Sequence, residues 1–156
     1  MNFSHEYYLN VALKQAKLAE KKWEVPVGAV LVKEGKIISK GHNLRVTKNN
    51  GIYHAEVVAI IKACKKLKTW RLDGCILYTT LEPCLMCSGA IIQTRISKVV
   101  FGAIDEKGGA IVSKYQVFDD RKLNHHPEYE YIKCEECSQI LKRFFQNKRR
   151  QISVDA

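Results

Sequence analysis

Two short stretches, His54-Ala55-Glu56 and Pro83-Cys84-Leu85-Met86-Cys87, constrain the fold most, because they form one site only if the chain brings them together. The 27 residues from 57 to 83 that separate them have room for one helix and one strand. His54 and Glu56 are two positions apart, so on a regular helix their side chains would point about 200° away from each other. A single pocket can therefore contact both side chains only if it lies beyond the N-terminus of the helix. Cys84 and Cys87, at i and i+3, share a helix face. We therefore predict a centre where two helix N-termini converge.

The residue types in these stretches predict a catalytic zinc site. His54, Cys84 and Cys87 would fill three corners of a tetrahedron and leave the fourth for water, whereas structural zinc sites close all four corners with protein ligands. A helix N-terminus favours thiolate over thiol, which is the form that binds metal. We expect one zinc per chain. Glu56 is predicted to stay off the metal and to act as the catalytic base that carries a proton from water to the substrate.

Hydrophobic periodicity outlines an α/β chain in which strands alternate with helices. The 156 residues are predicted to form a single domain, 1–156, that contains this zinc site. Strand, helix, strand in succession favours parallel pairing covered by helices. The predicted helices are 6–22, 54–67, 84–95 and 135–150, and the predicted strands are 28–32, 36–39, 75–80 and 98–102.

The cysteine count and the lack of export signals predict a reducing compartment. No apolar run approaches the ~20 residues of a membrane span, and the N-terminus lacks the order of a signal peptide, so we expect a cytoplasmic protein without a membrane partner. All six cysteines are then expected to be reduced. The second C-x-x-C, Cys134 to Cys137, leaves an alternative open, in which four cysteines close a structural zinc site in an RNA-binding protein without chemistry. That alternative gives His54 and Glu56 no role.

The charge balance favours a polyanionic partner. The chain has 26 Lys and Arg against 16 Asp and Glu, a formal net charge of +10. Such a surplus attracts nucleic acid at long range. A basic surface can also serve solubility alone. The positions of the basic residues must therefore decide between the two explanations.

Several motifs resemble those of one family, the bacterial tRNA adenosine deaminases. They are the two ligand stretches in the order H-x-E…P-C-x-x-C, the stretch Glu24-Val25-Pro26-Val27-Gly28-Ala29-Val30, and Val99-Val100-Phe101-Gly102-Ala103. The resemblance implies a three-layer α/β/α cytidine-deaminase-like fold with a central mixed β-sheet, and a homodimer. It implies hydrolysis of the wobble adenosine of a tRNA anticodon stem-loop to inosine. The second enzyme hypothesis is a free base or nucleoside deaminase acting on guanine or cytosine, which would have no use for the +10 charge.

The resemblance also implies substrate-binding residues. It implies that Asn43 hydrogen-bonds the purine, that Pro83 belongs to the wall holding the base, and that Asp105, Lys107 and Asn124 contact RNA from loops. Arg149, after the paired Phe144 and Phe145 of the terminal helix, would reach phosphate. Structural alternatives remain for these residues: Asn43 as a turn residue, Lys107 as a solvated charge, Asn124 as a helix cap and Phe144 as a core residue.

Two departures from the family pattern concern the entry to the site. Asn50-Gly51-Ile52-Tyr53 stands where the family usually has Asp-Pro-Thr-Ala, and Val112 replaces a usual glycine. We therefore expect the zinc chemistry to follow the family more closely than the shape of the entry loops.

Overall fold

A mixed five-stranded sheet forms the centre of the fold, with strand order β2-β1-β3-β4-β5. The computed structural model describes residues 3–155, with side chains described for residues 3–153. Residues 1, 2 and 156 of the predicted domain lie outside the described residues. The strands are β1 Gly28–Lys33, β2 Lys36–His42, β3 Cys75–Thr79, β4 Lys98–Phe101 and β5 Glu128–Tyr131, and the helices are α1 His5–Lys21, α2 Ala55–Leu67, α3 Leu85–Gln93 and α4 Glu135–Asp155, with a short 3₁₀ turn at Val117–Asp119.

Strand pairing follows from the connections between strands. The tight turn after Lys33 makes β1 and β2 an antiparallel hairpin, and β1 also pairs antiparallel with β3. The crossover through α3 makes β3 and β4 parallel, and β5 continues the parallel half of the sheet. The predicted hairpin and the predicted parallel crossover are both confirmed.

The alternation of side chains along the central strands separates two apolar layers. On one face, Leu31, Leu77 and Val99 pack with residues of α2 and α3. On the other face, Val30, Tyr78 and Val100 pack with Tyr8, Leu9 and Ala12 of α1. The helix α4 lies beside α1 and joins it through Leu13, Ala16, Cys137 and Ile140. The predicted three-layer α/β/α fold is therefore confirmed.

Gly41 in β2 lets the first turn of α2 approach the sheet closely. A Cβ at this position would lie 2.5 Å from the carbonyl oxygen of Ala55 and 2.7 Å from the amide nitrogen of Ala59. Both atoms belong to helix backbone, which cannot move aside as a flexible side chain would. The missing side chain therefore helps to fix the end of α2 that carries His54 and Glu56.

The structure adds one strand that the sequence analysis leaves unassigned. β5 has the sequence Glu-Tyr-Glu-Tyr and is mostly exposed, so it has no run of core residues to reveal it. It lies at the edge of the sheet and is held there by pairing with β4. A helix also differs in length, because α4 continues to Asp155 and not to 150.

The cysteine expectation is wrong for one pair. Cys134 and Cys137 form a disulfide, because the C-x-x-C spacing at the start of α4 brings their Cα atoms to 5.2 Å, within the range that a disulfide requires. The alternative with four cysteines around a structural zinc is also contradicted. Cys137 packs in the α1–α4 layer, whereas Cys84 and Cys87 belong to α3 on the opposite face of the sheet.

No helix between residues 3 and 155 combines the length and the apolar character needed to cross a bilayer. The longest helix, α4, has 21 residues and carries many charged side chains.

Candidate active site

The first ligand of each stretch occupies the N-cap of a helix. His54 caps α2 and Cys84 caps α3, both with extended backbone, and neither side chain makes a capping hydrogen bond. An N-cap side chain ordinarily turns back to the amides of its own helix. Here both side chains are free to meet between the two helices, with Cys87 one turn further along α3. The structure therefore has the predicted convergence of two helix N-termini.

The three potential ligand atoms have the spacing of a zinc site. The Sγ atoms of Cys84 and Cys87 lie 3.7 Å and 3.5 Å from Nδ1 of His54. A tetrahedron with ordinary Zn–S and Zn–N bonds puts sulfur and nitrogen about 3.6 Å apart. All three atoms lie within 4.8 Å of one another, and within the described residues this is the one such cluster of three or more potential ligands. The donor set and its dimensions both fit zinc.

The local electrostatics prepare one of the two sulfurs as an anion. A hydrogen bond from the Cys87 thiol lowers the pKa of Cys84 to about 3 against the effect of burial, and His54 adds to this shift. The same hydrogen bond, together with burial, raises the pKa of Cys87. The hydrogen bond to Cys84 raises the pKa of His54. Cys84 is therefore the more readily ionised sulfur of the pair, and the thiolate is the form of cysteine that binds metal.

Glu56 lies in the first turn of α2, and the residue is only 4% exposed. It lines a cavity of about 140 Å³ together with His54 and Cys84. Burial raises the pKa of the Glu56 carboxyl above its ordinary value. A carboxyl group in such surroundings can both accept and return a proton, which is what a general acid–base residue must do.

The walls of the cavity come from several segments of the chain. Asn43 and Arg45 line it from the segment after β2, and Leu81, Glu82 and Asp105 line it from the segments after β3 and β4. Val25, Val27 and Ala55 complete the lining with apolar surface. The cavity thus combines apolar walls with a few polar groups, as small-molecule sites usually do.

Asn43 is buried and held in one orientation. Its Nδ2 donates to the carbonyl oxygen of Val25 at 3.2 Å, and its Oδ1 accepts from the amide of Arg45 at 3.1 Å. A carboxamide has two N–H donors and two acceptor lone pairs, so one donor and one lone pair remain for another partner. The alternative reading of Asn43 as a turn residue also holds, since it bonds the backbone two residues on.

The other predicted substrate-binding residues lie outside the cavity lining. Pro83 is buried, and its carbonyl accepts a hydrogen bond from the amide of Ala110 at 2.9 Å. Lys107, Asn124 and Arg149 are exposed, the last in the final turns of α4. Among the described residues, the structure therefore brings only Asn43 and Asp105 of the predicted substrate-binding set to the cavity.

Two buried carboxylates, one lining the cavity and one beside it, are not among the predicted site residues. Burial raises the pKa of Glu24, but hydrogen bonds from Thr47 and Val46 outweigh it and lower that pKa below the usual range. Burial likewise raises the pKa of Glu82, and hydrogen bonds from Ser113, Val112 and Ile111 reverse the shift. Both residues are therefore ionised at neutral pH. Glu82 directly precedes Pro83 and Glu24 lies two residues before Pro26, both in matched motifs, and nothing else in the sequence marks them.

The comparison with protein families defines the class. The model for the cytidine and deoxycytidylate deaminase zinc-binding region matches residues 3–103, which include His54, Glu56, Cys84 and Cys87. This match covers more than half of the chain and the whole metal cluster. The protein therefore belongs to this family of zinc-dependent deaminases.

Similar proteins narrow the comparison within the class. The chain is 50% identical over 147 residues to the tRNA-specific adenosine deaminase of Aquifex aeolicus, covering 94% of this chain and 97% of that one. A solved structure from a study of A-to-I editing by tRNA:A34 deaminases at the wobble position of transfer RNA matches with a TM-score of 0.84 and 39% identity, over 87% of this chain and 99% of that one. The X-ray structure of guanine deaminase from Bacillus subtilis matches with a TM-score of 0.64 and 34% identity, over 92% of this chain and 95% of that one. The predicted resemblance is confirmed.

Proposed function

We propose that this protein is a tRNA adenosine deaminase, which hydrolyses the wobble adenosine of a tRNA anticodon to inosine and releases ammonia. One observation carries the proposal: 50% identity along 94% of the chain to a tRNA-specific adenosine deaminase. The convergent ligands and the buried Glu56 support the chemistry, and the +10 charge supports an RNA substrate.

The reaction divides between the metal site and one carboxyl group. Zinc, when held by His54, Cys84 and Cys87, supplies a Lewis acid that activates water for attack on the amino-bearing carbon of adenine. Glu56 accepts the proton released from that water and delivers it to the ring nitrogen. It then takes the second proton from the hydroxyl group that has added to the carbon and transfers it to the departing amino group, which leaves as ammonia. The apolar wall of Val25, Val27 and Leu81 limits the access of bulk water to these steps.

The substrate is held by groups around the cavity. The free donor and lone pair of Asn43 fit the edge of a purine, because both point from an amide fixed by Val25 and Arg45. Asp105 contacts the nucleotide from the opposite wall. Pro83 supports that wall through the hydrogen bond that its carbonyl oxygen accepts from the amide of Ala110. The exposed Lys107, Asn124 and Arg149 contact the RNA outside the cavity, where charges and amides reach phosphate and sugar.

The whole chain is proposed to work as one deaminase domain in the cytoplasm, where its tRNA substrate is made. Residues beyond 103 support this unit, because β5 extends the sheet beside β4 and α4 packs on α1. A single cooperative unfolding transition, with coincident loss of helix signal and tyrosine signal, is the expected behaviour of such a unit. Two separate transitions would contradict it.

We also propose a homodimer that uses the α2–α3 side of the molecule. Three apolar residues are exposed on this side: Ile52 just before α2, Ile61 on α2 and Leu85 at the start of α3. An apolar surface of this kind is typical of a subunit interface. Light scattering is expected to give twice the chain mass for the wild type and a smaller mass for Ile61→Glu. A monomeric wild type would contradict the proposal.

The function is tested by comparing substrates under one condition. The purified zinc-loaded protein is incubated with an anticodon stem-loop, free adenosine, guanine or cytosine, and the products are identified by mass. We expect inosine in the stem-loop and very little conversion of the other three. Xanthine from guanine or uracil from cytosine, without inosine in the stem-loop, would overturn the proposal in favour of a free-base deaminase.

A further inference from the structure

A single buried carboxylate ties down both ends of the segment 105–113, here called the 105–113 loop. Glu82 is 2% exposed and accepts five hydrogen bonds from this loop. Its Oε1 accepts from the amide of Asp105 at 3.2 Å and from the Ser113 hydroxyl. Its Oε2 accepts from the amides of Ile111, Val112 and Ser113 at 3.0, 2.9 and 3.0 Å.

The 105–113 loop lies directly against that carboxylate. A Cβ on Gly109 would overlap the carboxylate atoms of Glu82, so the loop backbone passes as close as a residue without a side chain allows. Asp105 is fixed from the loop side as well, because its Oδ1 accepts from the amides of Lys107 and Gly108, each at 3.2 Å. The result is that Asp105 reaches the cavity from a backbone held at both ends.

A second buried carboxylate holds the middle of another loop that lines the cavity. Glu24 is 1% exposed and accepts from the amide of Val46 at 3.1 Å and from the amide and hydroxyl of Thr47, each at 2.6 Å. These residues belong to the segment 43–50, here called the 43–50 loop, which carries Asn43 and Arg45 to the cavity.

The burial of these two charges needs a reason. Burying an ionised carboxylate is strongly unfavourable unless hydrogen bonds replace its hydration. Within the described residues, neither Glu24 nor Glu82 forms a salt bridge, so main-chain amides and hydroxyl groups of the two loops provide that compensation. Apolar packing could cover a loop without this desolvation, but it would not fix the direction of each backbone amide.

We propose that Glu24 and Glu82 are positioning residues that hold the 43–50 and 105–113 loops at a fixed separation across the cavity, and so determine how tightly the RNA substrate binds. The inference rests on the proposed function, because the loops act on a substrate. It assigns both carboxylates to substrate placement and leaves proton transfer to Glu56. Loosening either loop should therefore raise KM for the stem-loop much more than it lowers kcat.

The sharpest variants are Glu82→Gln and Glu24→Gln, which keep the size of the side chain. A glutamine carboxamide keeps one acceptor oxygen, but an NH₂ group with two N–H donors replaces the other oxygen. That NH₂ group would face loop amides and hydroxyl groups that are themselves donors. In Glu82→Gln, either the amide of Asp105 or the three amides at 111–113 must lose their acceptor. We expect KM for the stem-loop to rise on the order of tenfold or more, the usual effect of losing a buried hydrogen bond to a charged group. The kcat should stay within about threefold and the zinc content should not change.

Two matched variants separate positioning from general destabilisation. Glu20→Gln removes a carboxylate that pairs with Arg143 between α1 and α4, away from the cavity, and should leave KM unchanged. Ser113→Ala removes only one of the five bonds to Glu82 and should raise KM less than Glu82→Gln. It also keeps the inference testable if Glu82→Gln does not fold.

The experiment joins steady-state kinetics on the stem-loop with amide hydrogen exchange of the same proteins. Faster exchange confined to 111–113 in Glu82→Gln and to 46–47 in Glu24→Gln, with a raised KM, supports the inference. Unchanged KM in both variants, or a fall in kcat at constant KM, overturns it. A wild type that does not deaminate the stem-loop would instead be a failure of the proposed function, and the exchange data would still report whether the carboxylates hold the loops.

Discussion

At the scale of single residues, the site depends on side chains that give up an ordinary structural role. His54 and Cys84 occupy N-cap positions but make no capping bond, and their free side chains lie 3.7 Å apart. Glu56 is buried beside them without joining the cluster of potential metal ligands. The proposed division between metal ligands and proton carrier thus follows from the positions of these residues on the two helices.

Glu56→Gln tests that division. The substitution keeps size and polarity but removes the group that carries the proton, so deamination of the stem-loop should fall by a factor on the order of 10² to 10⁴ or more. Zinc content, measured by atomic emission, and stem-loop affinity should both persist. Near wild-type turnover of Glu56→Gln would show that another group moves the proton.

The metal assignment is tested by comparing the two C-x-x-C motifs. Cys84→Ala or Cys87→Ala removes one of three ligands and should abolish the stoichiometric zinc, because the remaining two ligands cannot hold the ion tightly. The double variant Cys134→Ser and Cys137→Ser should retain one zinc per chain, because that pair lies across the sheet from the cluster. Two zincs per wild-type chain, or zinc loss in the double serine variant, would contradict the assignment.

Some functional residues could be predicted from the sequence and others could not, for a physical reason. His54, Glu56, Cys84 and Cys87 have a fixed spacing that only a shared site explains. Glu24 and Glu82, the proposed positioning residues, bond main-chain amides of loops that are 22 or more residues away along the chain. Almost any residue type supplies such an amide, so the sequence does not mark these contacts. Lys107, Asn124 and Arg149 lie on the surface, so their roles depend on an RNA that contacts them from outside.

At the scale of elements, the position of α2 relative to the sheet decides where the site forms. The chain has no side chain at Gly41, where β2 meets the first turn of α2. The element types and most boundaries could be predicted because α1 and α2 have clear apolar periodicity and β3 is an almost unbroken apolar run. β5 could not, because an exposed edge strand is defined by its partner and not by a buried face.

Gly41→Ala tests the importance of this close approach. The added Cβ would meet backbone atoms of Ala55 and Ala59, so α2 must shift and move His54 and Glu56 relative to α3. We expect a destabilisation of about 1–3 kcal/mol, typical of overpacking, together with weaker zinc binding. Urea unfolding and competition with a chelator provide the measurements. Gly89→Ala is the matched control, because a Cβ there meets nothing within 4 Å and alanine favours the α3 helix.

At the scale of the whole molecule, charge and fold act together on the substrate. The formal +10 charge attracts a polyanion, and the cavity between two anchored loops admits a single base. The adenosine must leave its stack to enter, which an anticodon loop allows at lower cost than a duplex. A stem-loop should therefore react faster than the same strand paired with its complement.

The salt dependence of binding measures the phosphate contacts. The logarithm of the association constant for single-stranded RNA should fall linearly with the logarithm of the salt concentration, with a slope of about −0.7 per phosphate neutralised. Arg149→Ala should weaken binding and reduce the magnitude of the slope by roughly the contribution of one phosphate contact. Lys66→Ala, at the opposite end of α2 from the site, is the control with an unchanged slope. A flat salt response of the wild type would contradict recognition of a nucleic acid backbone.

The most direct test of the account maps the product in an intact tRNA. A transcript with adenosine at the wobble position is incubated with wild type and with Glu56→Gln, digested with a base-specific nuclease and read by mass spectrometry. We predict inosine at the wobble position with wild type, adenosine at every other position, and almost no inosine with Glu56→Gln. An unmodified wobble adenosine after incubation with zinc-loaded wild type, or inosine spread over other positions, would contradict the account.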